Sequence, residues 1–186
     1  MSDAFLLLEH NDPLLWIVTA CVGDRMGGLV ATNVNSASII PECPRVIAGL
    51  AHSHHTWELV EASNAFALHL ITENQPDWVW RFGTQSGHHY NKLSGMKWHP
   101  GQTGSPLLDE ALGWLECRVE ARMETGDRTL YLAEVIAAQS TIQAVPLTLK
   151  RALELATPEQ VREMKRQRME DAAIDAEAIR RWRERR

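Results

Sequence analysis

Short strand-like segments that follow one another closely constrain the fold of this chain more than any other feature. Each segment is rich in β-branched or alternating apolar residues, and turn-forming residues separate one from the next. They cover residues 14–22, 29–34, 45–50, 66–71, 111–123 and 128–138. Several short strands with one or two helices over about 140 residues are typical of a closed antiparallel barrel. The sequence therefore predicts a mainly β fold.

One tight turn and three helix starts can be placed from local sequence. Gly27-Gly28 predicts a reversal between the first two strands, because glycine reaches positive φ without a Cβ clash. Thr56 is expected to cap a helix over 57–63, and Pro76 to stand in the first turn of another. The run Thr157-Pro158-Glu159-Gln160 combines a capping hydroxyl, a first-turn proline and a glutamine three residues after the cap, which predicts a third helix start.

The composition changes at Pro146 from strand-like to helical. We therefore expect a body over 1–145 and a helical C-terminal extension over 146–186. The extension holds 11 of the 19 basic and 8 of the 24 acidic residues, which leaves 8 basic and 16 acidic residues in the body. The net charges are thus −8 for the body and +3 for the extension, and an acidic body argues against nucleic-acid binding. The extension has a thin apolar stripe, so it is expected to pack on a surface or on a second subunit. The stripe comprises Val161, Met164, Ala172, Ala176 and Ile179.

Length and cysteine usage indicate a cytoplasmic protein with one main domain. A chain of 186 residues can bury a sizeable core. Its three cysteines lie far apart without a C-x-x-C pair, which favours reduced thiols over disulfides or a zinc knuckle. No basic residue precedes the short apolar run near the N-terminus, and the apolar runs elsewhere are too short to span a bilayer. We expect neither a secretory signal nor a membrane segment.

Two of the predicted strands end in polar residues that suit ligand binding. The strand over 29–34 runs into Thr32, Asn33, Asn35, Ser36 and Ser38, and the strand over 45–50 runs into His52, Ser53, His54, His55 and Thr56. Small hydroxyl, amide and imidazole groups with free backbone N–H donors can hold a polar planar ring at one place and a phosphate at another. The helix start after Thr56 would add N–H donors and a positive dipole end. The alternative is that these are ordinary polar turns.

Standard catalytic and metal-binding motifs are missing from the sequence. The histidines show no H-E-x-x-H spacing, and no cysteine accompanies them, so we expect no metal site. Neither a P-loop nor a G-x-S-x-G or G-x-G-x-x-G motif occurs. A chain without its own acid–base set suits a protein whose cofactor carries the chemistry.

Several short motifs occur in an order that points to a family. They are Gly27-Gly28, Ser36-Ala37-Ser38, Pro41, Thr56, Phe66-Ala67-Leu68-His69-Leu70, Arg81-Phe82, Leu115-Glu116-Cys117, Gly126-Asp127 and Glu134-Val135. This order resembles that of the flavin reductase-like, FMN-binding split-barrel family. The resemblance implies a six-stranded antiparallel Greek-key split barrel with short helices, and a homodimer with FMN at the subunit interface. It also implies hydride transfer from NADH or NADPH to flavin, with reduced flavin or electrons passing to a monooxygenase or other acceptor.

The resemblance also assigns residues to the flavin by position. It places Ala31, Thr32 and Asn33 along the isoalloxazine ring, Ser36 and Ser38 in an S-x-S segment, and His52, Ser53 and Thr56 in a phosphate-binding loop. Arg81-Phe82 matches an R-F pair beside the flavin. The alternative for this pair is a helix-end arginine and a core ring.

This sequence departs from the family pattern in three places. An adjacent Pro-Pro pair is spread into Pro41-Glu42-Cys43-Pro44, and the helical extension replaces a short ending. A G-D-H motif near the nicotinamide reads Gly126-Asp127-Arg128, so Arg128 becomes the candidate for contact with NADH or NADPH. Its alternative is an exposed arginine paired with Asp127 or Glu124. Two other functions stay open: a flavoredoxin-like electron carrier without a pyridine-nucleotide site, and a scaffold that has lost its flavin.

Overall fold

The computed structural model describes residues 3–8, 10–140 and 143–186, and these residues form nine strands and five helices. In chain order the elements are α1 (Asp3–Leu8), β1 (Trp16–Val22), β2 (Arg25–Ala31), β3 (Val34–Ser36), β4 (Arg45–Ala51), α2 (His55–Ser63), β5 (Ala65–Leu70), α3 (Pro76–Gly83), β6 (Trp98–Pro100), β7 (Pro106–Leu108), β8 (Gly113–Glu124), β9 (Arg128–Ser140), α4 (Leu149–Leu155) and α5 (Pro158–Glu184). The prediction of a mainly β protein is confirmed. The sequence did not predict α1 or β7, whereas α4 lies in the extension that was expected to be helical.

Seven antiparallel strands make up the main sheet, in the order β2-β1-β5-β8-β9-β4-β3, while β6 and β7 form a separate pair. The expected number of six strands is therefore wrong. The segment over 29–34, predicted as one strand, ends as β2 at Ala31 and continues after Thr32-Asn33 as β3. β2 pairs with β1 at one edge of the sheet, and β3 pairs with β4 at the other edge. Because Thr32 and Asn33 carry the chain between the two edges, the sheet curls into a half-barrel.

The reversal predicted at Gly27-Gly28 lies elsewhere. The turn is at Gly23-Asp24, where Gly23 has a φ of +58°, and both later glycines lie inside β2. A Cβ on Gly28 would stand 2.7 Å from Cε1 of Phe82, and one on Gly27 would stand 3.2 Å from Cδ2 of His55. The two glycines thus let α2 and α3 approach the strand closely. This is a packing requirement that local sequence cannot distinguish from a turn.

Two hydrophobic clusters form the core, one on each side of β1. Side chains alternate along a strand, so Ile17 points into one cluster and Val18 into the other. The inner cluster contains Val18, Ala20, Leu29, Ala48, Leu50, Val60, Phe66, Leu68, Tyr131 and Ala133 among others. The outer cluster contains Leu15, Ile17, Ile71, Val79, Trp80, Phe82, Leu93, Leu108, Leu147 and Ala152.

The helix starts agree with the predictions in two of three places. Pro76 begins α3, and Thr157 caps α5 with a full capping box that includes Gln160. Thr56 is not the cap of α2, because the helix begins at His55 after an extended His54. Thr56 is instead a buried residue of the first turn. No side chain of the described residues caps this helix start, while the Trp57 N–H donates to the His54 carbonyl at 2.9 Å.

The C-terminal extension is continuous with the outer core cluster. Leu147 and Ala152 are buried in that cluster, and Met164 of α5 packs against it. Surface ion pairs follow along α5, with Arg166 bonded to Glu163 and Glu170, and Arg180 and Arg181 both bonded to Glu177. The division of the chain at residue 145 stays a prediction. None of the helices that the structure describes is long and apolar enough to cross a membrane.

We predict that Gly28→Ala destabilises the protein. The added Cβ would be 2.7 Å from Cε1 and 2.9 Å from Cδ1 of Phe82, so a ring that is 1% exposed must shift. Overpacking of this kind costs about 1–3 kcal/mol of the free energy of unfolding, measurable by urea denaturation. The matched control is Gly83→Ala, whose Cβ meets Val30 at an ordinary 3.5 Å. Equal stability of the two variants would contradict the assigned role of Gly28.

Candidate functional site

Three adjoining cavities form one groove along the open side of the half-barrel. The small cavity has a volume of about 220 Å³, the middle cavity about 370 Å³ and the large cavity about 1120 Å³. Ser53, His54 and Phe82 line both the small and the middle cavity. Thr32 and Asn33 line both the middle and the large cavity. A single elongated ligand could therefore lie across all three.

The small cavity has the chemistry of an anion site. Ser53 and Thr56 place hydroxyl groups on its wall, and the uncapped start of α2 lies there too. Lys92 also lines it, although this lysine is only 7% exposed. Its Nζ donates a hydrogen bond to the Phe82 carbonyl at 2.8 Å, and burial lowers the pKa of Lys92 to about 8. A buried cation that has no carboxylate among its hydrogen-bond partners in the described part of the chain favours an anionic ligand.

His54 lies between the small and the middle cavity and has an unmet hydrogen-bonding group. Its Nδ1 is buried, and within the described chain it has no hydrogen-bond partner. Burial also lowers the pKa of His54, so its neutral form is favoured. A buried polar atom left unpaired costs about 1–3 kcal/mol, which a ligand atom in the groove would recover.

The predicted ring-side residues line the other two cavities. Ala31, Thr32 and Asn33 lie at the break between β2 and β3, and Ser36 and Ser38 line the large cavity. The two serines also stabilise their own loop. Ser36 Oγ donates to the Ser38 carbonyl at 2.9 Å, and Ser38 Oγ accepts from the Ile40 N–H at 3.1 Å.

Two predicted site residues point away from the groove. His52 stacks on Trp57, with ring centroids 4.6 Å apart, and its Nε2 lies 3.1 Å from Thr129 Oγ1 and 3.0 Å from Glu124 Oε2. Arg81 donates to the carbonyls of Lys92, at 2.6 Å, and Ser94. Arg81 thus holds the loop that carries Lys92. Its partner Phe82 does line the groove and also belongs to the outer core cluster.

Arg128 lines the middle cavity but already has carboxylate partners. Its Nε lies 2.5 Å from Asp127 Oδ2, and its Nη2 lies 3.3 Å from Asp175 Oδ2 of α5. The pairing with Asp127 agrees with the ion-pair alternative considered for this arginine. The pairing with α5 was not foreseen, because Asp175 is 47 residues away in sequence.

Three potential metal ligands meet beside the small cavity. One ligand atom from each of His55, Glu58 and His88 lies within 4.8 Å of the others, and the two histidine rings are 5.0 Å apart. Arg25 already contacts the same carboxylate, with 3.3 Å between its Nη2 and Glu58 Oε2. Sequence spacing could not reveal this group, because the loop after α3 supplies His88.

Lys92 is the groove residue that sequence analysis missed. It is the only lysine or arginine between Arg81 and Lys97, in a loop rich in small, polar and histidine residues. That isolation is a weak signal. The strong signal is burial of its side chain in the wall of the cavity, which only the folded chain shows.

Comparison with known proteins finds relatives over most of the chain. The family described as flavin reductase like domain matches residues 11–151. A high molecular weight rubredoxin of Moorella thermoacetica is 27% identical over 72% of this chain, and the match spans only 58% of the relative's length. The reductase subunit HsaB of a flavin-dependent monooxygenase from Mycobacterium tuberculosis is 27% identical over 74% of this chain and 68% of its own. A ferric-chelate reductase (NAD(P)H) of Archaeoglobus fulgidus is 27% identical over 78% of this chain and 85% of its own length.

A solved structure agrees with the fold described above. Nitrilotriacetate monooxygenase component B from Mycobacterium thermoresistibile superposes with a TM-score of 0.69 at 23% identity, covering 82% of this chain and 87% of that one. At this identity the likeness concerns the fold alone. The family match, in contrast, spans the half-barrel and the groove-forming segments between residues 11 and 151. The chain therefore belongs to the flavin reductase like domain family.

Proposed function

We propose that this protein is an FMN-binding flavin reductase that transfers a hydride from NADH or NADPH to flavin. The observation that carries the proposal is the groove, in which an anion site with a buried lysine leads into a slot lined by the β2–β3 junction. The names of two relatives support it, since one is the reductase subunit of a flavin-dependent monooxygenase and another an NAD(P)H-dependent ferric-chelate reductase. When bound, FMN supplies the redox chemistry, which suits a chain without an evident acid–base set.

The small cavity suits the FMN phosphate. Lys92 offers a charged donor, Ser53 and Thr56 offer hydroxyl groups, and the start of α2 offers N–H groups and a positive dipole end. Arg81 orders the loop that positions Lys92. His54 adds a donor or acceptor for a neighbouring polar atom of the ligand, since its buried Nδ1 has no partner in the described chain.

The middle and large cavities suit the ribityl chain and the ring. The backbone at Ala31, Thr32 and Asn33 crosses between the two sheet edges there and can offer polar groups to a planar heterocycle. Phe82 gives the slot an apolar wall. Ser36 and Ser38 stand at the far end, in line with the positions implied by the resemblance.

A second candidate is an electron carrier that keeps FMN and lacks a pyridine-nucleotide site. The observation in its favour is that Arg128, the proposed nicotinamide-side residue, is bonded to two carboxylates. Anaerobic addition of NADH and of NADPH to the flavin-loaded protein separates the two candidates. Bleaching of the flavin by either nucleotide supports the reductase, and a flavin that stays oxidised with both supports the carrier.

We further propose a homodimer that passes reduced flavin or electrons to a monooxygenase or other acceptor. Apolar side chains at the rim of the large cavity are exposed, with Ile39 at 96%, Ile40 at 50% and Leu14 at 38%. Such a cluster is typical of a surface that another protein covers. A second subunit there would close the widest part of the groove.

The first functional prediction concerns Lys92 and the phosphate. Lys92→Met should weaken FMN binding about tenfold to a hundredfold, because a charge-assisted hydrogen bond contributes about 1.5–3 kcal/mol. Riboflavin, which lacks the phosphate, should bind the variant and the wild type alike. Fluorescence titration with both flavins measures this. Lys97→Met is the matched control, since Lys97 is 77% exposed and pairs with Glu110.

The same lysine predicts a pH dependence. The pKa of Lys92 in the free protein is lowered by burial to about 8, and the phosphate favours its charged form. Below pH 8 the lysine is already charged, whereas above pH 8 binding must take up a proton. FMN affinity should therefore fall by up to about tenfold per pH unit above 8. An equal fall for riboflavin, or for FMN with Lys92→Met, would contradict this assignment.

A further prediction concerns Arg128 and the electron donor. Arg128→Ala should lower kcat/KM for NADH or NADPH about tenfold to a hundredfold and change FMN affinity much less, since the guanidinium would contact the nucleotide. Steady-state nucleotide oxidation beside FMN titration tests this. Arg122→Ala is the control, because Arg122 pairs with Glu61 and lines none of the three cavities. If Arg128→Ala stays within about twofold of wild type, the residue is structural and the carrier gains support.

The dimer can be tested at the rim of the large cavity. The wild type should sediment as a dimer at micromolar concentration, with or without FMN. The double substitution Ile39→Glu with Ile40→Glu should shift it to the monomer, because burying two unpaired carboxylates is costly. Met123→Glu, at a 57% exposed position on the far hairpin, should leave the dimer intact. A monomeric wild type would remove the second subunit from the proposed site.

A further inference from the structure

Helix α5 borders all three cavities, although it lies outside the matched family domain. Gln167 and Asp171 line the small cavity, and Met164, Asp171 and Asp175 line the middle one. Arg168 lines both the middle and the large cavity. The sequence offered no function for the C-terminal extension. In the structure its helix α5 forms one wall of the groove and borders each of the three cavities.

The face of α5 that meets the half-barrel is apolar near both ends of the helix and polar between them. Met164 near the start packs on the outer core cluster, and Ile179 and Trp182 near the end pack against Gly126. The residues between them that line the groove are polar. A helix that only covered an apolar surface would carry an apolar stripe throughout. Ala172 and Ala176 of the predicted stripe are in fact exposed, so α5 is anchored at its two ends and spans an open groove between them.

Besides the packing of Met164, polar and close backbone contacts dock α5 on the body. Gln167 Nε2 donates to the Thr84 carbonyl at 2.6 Å, and Asp175 pairs with Arg128 at 3.3 Å. At the far end, Gly126 has a φ of +101°, and a Cβ there would lie 2.8 Å from Cβ of Trp182. Only a glycine allows this close approach. The docked position is therefore built into the hairpin turn between β8 and β9.

The docking contacts are also partly open to solvent. No described residue of α5 is fully buried, and the polar contacts of Gln167 and Asp175 lie at partly exposed positions. We propose that α5 is a gate over the small and middle cavities, so that the phosphate and ribityl end of the flavin enters and leaves them only when α5 has moved away. The inference rests on the proposed function, because it assigns the occupant of the groove.

A gate affects the association and dissociation rate constants of the flavin differently from a side chain that only contacts the bound flavin. If the ligand passes only through the open state, the association and dissociation rate constants both scale with the open fraction. Loosening α5 should therefore raise both rates by a similar factor and change the affinity much less. A docked gate makes the flavin exchange slowly, as a resident group would.

The test measures flavin binding and release by stopped-flow fluorescence in the full-length protein. Gly126→Ala places a Cβ 2.8 Å from the Cβ of Trp182 and so pushes α5 off the body, and Gln167→Ala removes the hydrogen bond to Thr84. Each should raise both rate constants about fivefold or more, since one hydrogen bond is worth about a factor of five. Asp175→Asn keeps the side-chain volume, weakens the pairing with Arg128 and serves if Gly126→Ala does not fold. Met169→Ala, at a 76% exposed position of the same helix, is the matched control.

The outcomes separate the gate from the proposed function. Faster exchange in both directions, equal for FMN and riboflavin and absent in Met169→Ala, supports the gate. If the wild type binds flavin and the variants exchange it at rates within twofold of the wild-type rates, the gate is overturned. The proposed reductase function is then unaffected. A rise in dissociation alone also overturns it, because α5 would then be an ordinary contact. A wild type that takes up neither flavin overturns the proposed function itself.

Discussion

The passage of the chain from one sheet edge to the other at Thr32 and Asn33 is the constraint on which the site depends. The Gly49 N–H donates to the Asn33 carbonyl at 2.9 Å, and the Asn33 side chain occupies the space where a Cβ on residue 49 would project. The crossing therefore needs a glycine on β4. Because it joins the edges, the ends of β2 and β4 meet and form the floor of the groove. Without this crossing, the hydroxyl groups that follow β2 and those that follow β4 would lie at separate edges of the sheet.

A buried lysine lies next to this floor, and an anionic ligand would stabilise its charged form. Burial disfavours the charged form of Lys92, and the loop that carries it is held by hydrogen bonds from Arg81 to two carbonyls. The folded protein therefore carries the free-energy cost of burying the charged Lys92, and a bound anion would lower that cost. Functional sites commonly hold polar groups in such unfavourable surroundings, since the ligand completes them.

Much of the fold was predictable, because strand periodicity and turn residues are local signals. The capping box at Thr157 and the first-turn Pro76 are examples, and both were confirmed. The number of strands was not predictable, because the break at Thr32-Asn33 depends on pairing with β4, a tertiary contact. Gly27-Gly28 resembled a turn for a similar reason, since local sequence does not show that Phe82 packs on β2.

The candidate site was predictable only in part. Small hydroxyl groups at strand ends pointed to Ser53 and Thr32, which do line the groove. His52 and Arg81 lie in the expected segments but point elsewhere, because side-chain direction depends on packing partners such as Trp57. Lys92 and the whole contribution of α5 were out of reach, since both come from segments distant in sequence. Neighbours of that kind are specified by the fold and leave no local pattern.

The ion pairs along α5 have a mechanical consequence. The capping box and the pairs of Arg166 and Glu177 lie within the helix, so they persist whether or not it touches the body. A helix of 27 residues with its own internal bonds is a rod about 40 Å long. In the proposed gating motion it would swing as one piece about the extended residue Ala156 without unwinding. That motion would cost the docking contacts and the packing of Met164 on the outer core cluster, and the far end of the helix would travel much further than its base.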